Sequence, residues 1–307
     1  MASGNTITDS LADSIPTMIA SARIVREFAG VMPNLVDRQR LDSNTGTVWN
    51  EVSMAKLSAQ AVTESTELDN PQQMSDTLFS ITPTVIGVHT IITDRVALRI
   101  SANAYAQTGS LAQNAIERKK DVDGLTAIDG ASTVFGNGSS GLDTSDISSA
   151  SYQITSNTTE PAPASAPINA VFHGFQLADI DFQLTTPGIA AVSGGGISEA
   201  QLGTVLTSGI AAEAFQNRYR GTIAGARLFE DGNLTIDSGD DDAKGGVFSQ
   251  MALVLVEGRS PYVETKRLPE LGGGATAIYH YDEYAYGERS AGNWLIEIET
   301  DASAPAG

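Results

Sequence analysis

The 307-residue sequence contains no cysteine, only three histidines, and only 18 lysines and arginines against 37 aspartates and glutamates. The absence of cysteine excludes disulfides, thiolate zinc sites, iron–sulfur clusters and a cysteine nucleophile. The formal net charge at pH 7 is −19, and a field of this sign repels the phosphates of nucleic acids and anionic membranes. We therefore expect no sequence-specific nucleic-acid binding and no membrane partner.

Long apolar runs are missing as well. The longest one, over residues 251–256, is far shorter than the roughly 20 residues that a membrane-spanning helix needs. A chain of this length can nevertheless bury roughly 75% of the surface that it exposes when unfolded. The composition thus predicts a protein that works in water and has a substantial core.

The sequence also lacks the motifs of the common enzyme classes. It contains no GxSxG, no GxxxxGK[ST] and no HExxH, and we expect structural roles for His89, His173 and His280. GNGSSG at 136–141 matches GxGxxG, but the polar loop predicted after it excludes the strand–turn–helix setting of a nucleotide site. The acidic run at 237–242 lacks the EF-hand order and predicts a solvated turn. We expect no catalytic residue, no metal and no cofactor.

Residues 47–92 predict two extended arms joined by a polar tip. In the first arm Val52 and Met54 alternate with polar residues, and the second arm repeats this period of two. Asn70–Pro71 signals a turn between the arms, and Pro83 predicts that the second arm is an edge or partly unpaired. Because a two-stranded ribbon is marginally stable in water by itself, we expect another surface to support it.

Three longer stretches predict helices, besides a short helical segment from Thr93 through Ile100. An amphipathic helix begins at Ser14 and stops at Gly30, and its apolar stripe needs a surface elsewhere to cover it. A second helix is predicted to begin at a capping box formed by Ser110 and Gln113 and to end near Gly130. A third begins at Ser198, where another capping box opens an apolar-periodic segment.

The rest of the chain predicts a polar loop and several strands. Residues 131–168 are rich in Ser, Gly, Thr, Ala and Pro and have little apolar periodicity. Within them, LDTSDISSAS at 142–151 predicts a polar loop. Strand-like sequence returns near Ile168. Further strands are predicted over 222–229, 251–257, 279–286 and 294–298.

The order of these elements resembles that of the major capsid proteins of tailed bacteriophages, which have the HK97-like fold. TVWNEVSMAKLSAQAVTESTELDN and LFSITPTVIGVHTIITDRV resemble the extended loop, or E-loop, and SLAQNAIERKKDVDGLTAIDGAS resembles the spine helix. NAVFHGFQLADI resembles the central strand and turn where related shell proteins often read hPxQ, although His173–Gly174 departs from the His-Pro common there. GTIAGARLFED and GGVFSQMALVLVEG resemble the later central strands.

The resemblance implies an α+β chain with an N-terminal arm, an extended β-hairpin loop, a spine helix with a peripheral β-sheet, and a central α/β domain. The expected divisions are 1–46 for the N-terminal arm, 47–92 for the E-loop, 93–131 for the peripheral domain with its spine helix, 132–260 for the central domain, and 261–307 for the return to the peripheral domain and the tail.

The function that the resemblance implies is structural and not enzymatic. Copies of such a chain assemble as hexamers and pentamers into the icosahedral head that encloses a double-stranded DNA genome. The expected location is the virion, after assembly in the host cytoplasm. The expected partners are other copies of the chain, a separate scaffolding protein, a portal and a decoration protein.

The densest basic cluster lies on the predicted spine helix and allows two interpretations. It can be a solvated helix face, or it can pair with acidic residues of a neighbouring subunit's loop. Exposed ion pairs contribute only about 0–1 kcal/mol each, so such contacts would set register and not strength. The residues concerned are Arg118, Lys119 and Lys120 on the helix and Glu64, Glu67 and Asp69 on the loop.

Two other functions stay open from the sequence. A structural protein of a phage tail or surface would have the same acidic, cysteine-free composition. A hydrolase that uses paired carboxylates would need no local motif, and it would show an apolar cleft with perturbed carboxylates. The order of ribbon, long helix and central region favours the shell protein over both.

Overall fold

A computed structural model describes residues 30–42, 44, 46–62, 64, 71–99, 104–156, 164–185, 219–271, 273–289 and 292–305. The helices in this part of the chain are α1 (Met32–Leu35), α2 (Asp94–Arg99), α3 (Ala104–Asp129), α4 (Thr144–Ser156) and α5 (Gly174–Thr185). The first strands are β1 (Asp37–Arg40), β2 (Trp49–Met54), β3 (Asp76–Ile81), β4 (Thr84–Thr93), β5 (Val134–Gly136) and β6 (Ile168–Phe172). The later ones are β7 (Tyr219–Ile223), β8 (Ala226–Glu230), β9 (Asp242–Ser249), β10 (Leu253–Leu268), β11 (Ala275–Glu288) and β12 (Leu295–Asp301). The helices predicted to begin at Ser14 and Ser198 lie outside the described residues.

The strands form three sheets, and the predicted α+β class is confirmed. One sheet has four strands in the order β1-β10-β11-β4, and another has six in the order β5-β12-β9-β6-β8-β7. The third is the predicted ribbon, in which β2 and β3 pair antiparallel from Trp49↔Ile81 to Met54↔Asp76.

The six-stranded sheet is covered on both faces. One face packs on α4 and α5 through a cluster that includes Phe172, Ile296 and Ile298. The other face contributes Phe248 and Leu295 to a second cluster, which also holds residues of α1, α3 and β10. Because both faces are covered, β6 is buried at every residue and the first four residues of β12 are buried.

Helix α3 connects the two larger sheets. It contacts β4 and β11 of the four-stranded sheet and β9 and β12 of the six-stranded sheet. Its end is the predicted one, because Gly130 follows the last helical residue and its amide donates to the Thr126 carbonyl at 3.1 Å. Its predicted start is wrong: Ser110 lies inside the helix, and Gln113 Nε2 donates instead to Glu117 Oε1 at 3.0 Å.

The polar loop predicted over 142–151 is also wrong, because α4 begins at Thr144. Asp143 caps this helix by accepting from Ser145 N at 2.9 Å, while Asp146 Oδ2 accepts from Asp143 N at 3.2 Å. Ile147 and Ile154 lie two turns apart on the buried face. The serine-rich composition suggested a loop, although the segment contains a helix-capping signal and a short apolar stripe.

Three further segments differ from the sequence predictions. The single strand predicted over 222–229 is a hairpin of β7 and β8, turned by Ala224 and Gly225 at φ 48° and 82°. The second ribbon arm ends at Ile81, and after Pro83 the chain enters the four-stranded sheet as its edge strand β4. The division 261–307 assigned the last strand to the peripheral sheet, whereas β12 pairs with β9 and β5 in the six-stranded sheet.

Candidate assembly surfaces

The root of the ribbon packs on the four-stranded sheet. Trp49 meets Phe79 edge to face with ring centroids 6.2 Å apart. Both rings, together with Ile81, contact a small buried cluster that contains Val254 and Val256 of β10. The root is thereby fixed to the body by apolar contacts between strands that are distant in sequence.

Arg289 adds a charged anchor at the same place. Its Nη2 lies 2.6 Å from Asp37 Oδ2 and 2.8 Å from Glu51 Oε2, and its side chain is only 10% exposed. Its Nη1 donates to the Met251 carbonyl at 3.1 Å, and the guanidinium lies 6.0 Å from the Trp49 ring centroid. One cation therefore holds β1, β2 and the turn before β10 together.

Beyond this root the ribbon exposes apolar side chains. Val52 and Leu78 are direct cross-strand partners and are 53% and 62% exposed, and Met54, two residues from Val52, is 68% exposed. By the period of two, this strip lies on the opposite face from Trp49. Further exposed apolar residues near the tip are Leu57, Val62 and Met74. A contiguous exposed apolar strip is typical of an interaction site.

The face of the four-stranded sheet that points away from α3 carries a row of rings, here named the aromatic ladder. His89 stacks on Tyr279 at 4.3 Å, Tyr279 stacks on Tyr281 at 6.1 Å, and Tyr262 lies 5.2 Å from Tyr281. Arg259 covers the free side of Tyr262, 3.5 Å from its centroid. Because His89 is exposed and the tyrosines are half-buried, the ladder is a second surface that can receive a partner.

Lys120, one of the predicted contact residues, lies inside its own chain. Its side chain is 10% exposed, and its Nζ lies 2.8 Å from Asp282 Oδ2 and 3.2 Å from Glu257 Oε1. The ammonium group also lies 4.9 Å from the Tyr284 ring centroid. These contacts attach α3 to β10 and β11, so the charge of Lys120 is balanced within the chain.

Arg118 and Lys119 lie on the exposed side of α3, and Lys119 pairs with Asp123 one turn later. Glu64 is exposed as well. Glu67 and Asp69 lie outside the described residues. The proposed pairing between subunits stays a prediction, and Arg118 is the member of the basic cluster best placed to make it.

His173 caps helix α5. Its Nδ1 accepts from Phe175 N at 3.1 Å, and Gln176 Oε1 accepts in return from His173 N at 3.0 Å. Burial lowers the pKa of His173 and outweighs the opposing effect of Glu230, which favours the neutral, accepting ring. Fully buried Gln176 also donates to the Ala243 carbonyl at 2.8 Å. The residues after β6 thus join α5 to the six-stranded sheet.

The glycine loop at 136–141 does lie between a strand and a helix, β5 and α4, but its surroundings are acidic. The space beside Gly138 is filled by the Asp242 carboxylate and that beside Gly141 by Asp179. Burial raises the pKa of Asp242, and neighbouring carboxylates add to this shift. Such a negative environment repels phosphate, so the geometry does not favour a nucleotide site.

The acidic run at 237–242 is a tight turn closed by Asp237 N donating to the Asp242 carbonyl at 2.8 Å. Across the described ranges, no group of three or more His, Asp and Glu side chains is arranged to hold a metal ion. Nor does any helix in them combine the length and apolarity needed to cross a bilayer.

Sequence reasoning missed Arg289 and the aromatic ladder. The alternating Tyr and His residues of 279–286 predict a strand, and β11 confirms it. The rings that meet them come from β4 and β10, and no local signal pairs these strands. Arg289 stands in a short polar stretch that shows nothing of its three partners in the sequence.

Comparisons with known proteins give structural likeness without sequence likeness. No family model matches the chain, and no curated protein matches it. The head structure of Helicobacter pylori bacteriophage KHP40 is similar with a TM-score of 0.69 and 8% identity, over 94% of this chain and 96% of that one. The capsid of Ralstonia phage GP4 has a TM-score of 0.66 and 12% identity, over 95% and 97%.

The capsid structure of the cyanophage P-SCSP1u gives a TM-score of 0.64 at 14% identity, over 98% of this chain and 96% of that one. In each case the likeness covers nearly the whole of both chains. The likeness is therefore one of overall fold. This chain has the HK97-like fold of phage capsid structures.

Proposed function

We propose that this chain is a major capsid protein whose copies assemble as hexamers and pentamers into an icosahedral head around double-stranded DNA. The observation that carries the proposal is the ribbon, which is anchored at its root and exposes an apolar strip beyond it. The shared fold supports the same conclusion, since it matches phage capsid structures end to end.

The ribbon has an energetic reason to bind another copy. A two-stranded sheet is at best marginally stable in water, and the strip of Val52, Met54 and Leu78 stays exposed in the single chain. Burial of apolar surface contributes roughly 25 cal/mol per Å². A neighbouring subunit that covers the strip would therefore stabilise both the ribbon and the assembly.

The aromatic ladder is the receiving surface in this proposal. Thioethers such as those of Met54 and Met74 make favourable contacts with aromatic rings, and both are more than half exposed. The ladder presents Tyr279 and Tyr281 on a flat sheet face. A neighbour's ribbon lying across this sheet would bring the two kinds of side chain together.

The charge of the chain suits a container for DNA. At a formal net charge of −19, a shell of many copies repels the phosphate backbone, because binding it would need rows of lysine and arginine. The duplex could then move against the inner wall without adhering. A scaffolding protein, a portal and a decoration protein are further partners that the resemblance implies.

Electron microscopy of the purified chain, alone and together with the products of its neighbouring genes, tests the proposed function. Closed icosahedral shells are the expected result. Fibres or rings would instead favour a tail or surface protein, and discrete small oligomers would contradict assembly into a shell.

A pair of matched variants tests the role of the ribbon. We expect Leu78→Asp to abolish shells while the purified chain keeps its secondary structure by circular dichroism. Leu98→Asp is the control, because Leu98 is also exposed, at 85%, but lies on α2 away from the ribbon. Equal shell yields from both variants would contradict a ribbon-mediated contact.

A further inference from the structure

Two buried carboxylates hold the segment at which the described chain begins. Val31 N donates to Asp231 Oδ2 at 3.3 Å, and Met32 N donates to Asp121 Oδ1 at 3.0 Å. Both aspartates are 0% exposed. They come from α3 and from the turn after β8, so the docked segment bridges two elements that are distant in sequence.

Asn233 joins the two carboxylates to each other. Its side-chain Nδ2 donates to Asp121 Oδ2 at 2.8 Å, and its backbone amide donates to Asp231 Oδ1 at 2.9 Å. Gly30 completes the site, because a Cβ at that position would collide with the carboxylate carbon of Asp121. The site is therefore built closely around the backbone of residues 30–32.

The electrostatics of the pair are unfavourable when both members are ionised. Burial raises the pKa of Asp231 to about 7, and the nearby Asp121 charge and a hydrogen bond between the two carboxyl groups add to this shift. The backbone amides of Asn233 and Val31, which donate to Asp231, oppose it but do not cancel it. Residues 30–36 contribute no titratable side chain. From β11, Tyr286 faces Asp121 and stays protonated, since burial raises its pKa; Arg38 of β1 opposes that shift weakly, and Asp123 reinforces it.

We infer that Asp121 and Asp231 form a proton-dependent latch, in which one proton shared by the two carboxyl groups is needed for firm docking of residues 30–36. The inference does not depend on the proposed function, because both carboxylates and the docked segment belong to one chain.

The sign follows from proton linkage. When the segment undocks, water reaches Asp231 and the pKa of its carboxyl group returns towards the ordinary aspartate value of about 4. The closed form therefore binds more protons than the open form between about pH 4 and pH 7. Closing is favoured at the acidic end of this window, weakens as the pH rises through it, and levels off above about pH 7.

Hydrogen–deuterium exchange of the full chain tests the latch, read by mass spectrometry on peptides that cover residues 30–36. After correction for the intrinsic pH dependence of exchange, we expect protection of these amides to fall ten- to a hundredfold between about pH 5 and pH 7. Protection of β6, which is buried throughout, should stay constant over the same range. A flat profile for 30–36 in the unmodified chain would overturn the inference.

Two variants sharpen the test. Asp231→Asn cannot ionise, and its amide can donate to Asp121 in place of the shared proton, so the pH dependence of 30–36 should disappear. Asp129→Asn is the control, because Asp129 lies on the same helix as Asp121 but is 49% exposed and pairs with Lys244. This variant should keep the profile of the unmodified chain. A pH dependence that persists in Asp231→Asn would assign the effect to another group.

Discussion

The six-stranded sheet and the ribbon differ in how much of their side-chain surface is buried. Every residue of β6 is buried, and Phe172 and Phe248 are fully enclosed between the helices on either face. In the ribbon, by contrast, β2 and β3 keep most residues exposed, and only the root around Trp49 and Ile81 is packed. The first region gains its stability within the chain, whereas the second keeps apolar side chains that the described part of the chain leaves exposed.

The largest expected contrast between these regions comes from truncating one apolar side chain in each. Phe248→Ala should lower the free energy of unfolding by about 3–5 kcal/mol, because it leaves a cavity in a closely packed core. Leu78→Ala should change it by less than about 0.5 kcal/mol, because Leu78 is exposed. Urea unfolding of the two purified variants measures both values. Similar losses would mean that the ribbon folds back on its own body.

Loosening the ribbon root should lower the free energy of unfolding by a smaller amount, and the change should be confined to the strands at the root. Arg289→Ala removes the cation shared by Asp37 and Glu51 and should cost about 1–3 kcal/mol. Hydrogen exchange should speed up in β1, β2 and β3 while β6 stays protected. Arg118→Ala, which removes an exposed cation, is the matched control and should leave exchange in all four strands unchanged.

In the six-stranded sheet, a buried glutamate makes the free energy of unfolding depend on pH. Burial raises the pKa of Glu297 to about 7, against the opposing effect of Lys244. Because the folded form then binds the proton more tightly than the unfolded form, this group favours folding at low pH, and its contribution declines between about pH 4.5 and pH 7.

In Glu297→Gln, the free energy of unfolding should therefore fall less steeply with pH. The slope should differ from that of the unmodified chain by up to about 1.4 kcal/mol per pH unit. Glu264→Gln is the control, because Glu264 is an exposed carboxylate on β10 of the other large sheet. Denaturation midpoints at several pH values measure the slopes. Parallel curves for the unmodified chain and Glu297→Gln would contradict the assignment.

The smallest expected effect concerns the surface charges. Arg118→Glu should change the stability of the single chain by less than about 0.5 kcal/mol. If Arg118 pairs with Glu64 of a neighbour, the reversal should lower shell yield or alter shell diameter in electron micrographs, and Glu64→Lys in the same chain should restore it. Unchanged particles from Arg118→Glu alone would contradict the contact.

Local sequence signals were sufficient for part of this architecture. The period-two alternation around Val52 predicted the ribbon, and Gly130 marked the end of α3. Helix α4 could have been predicted too. Asp143 and Asp146 form a capping signal at its start, directly before the apolar stripe that begins at Ile147. All of these features depend on residues within one or two turns of each other.

Other features depend on contacts that no local pattern contains. The aromatic ladder joins residues of β4, β10 and β11, and the latch joins Asp121 to Asp231 through Asn233. The partners in these groups are separated by up to about two hundred residues along the chain. Their proximity is set by strand order and register, which arise only when the sheets assemble.

The acidic, cysteine-free composition and the alternation of apolar and polar residues in the ribbon can be read directly from the amino-acid sequence. Which residues of the basic cluster are exposed depends on packing. Neighbouring helix residues point about 100° apart, so the packing of α3 on β11 turned Lys120 inward to Asp282 and left Arg118 in solvent. The packing of α3 fixes its rotation about its own axis. That rotation decides which basic residue pairs within the chain and which one stays exposed.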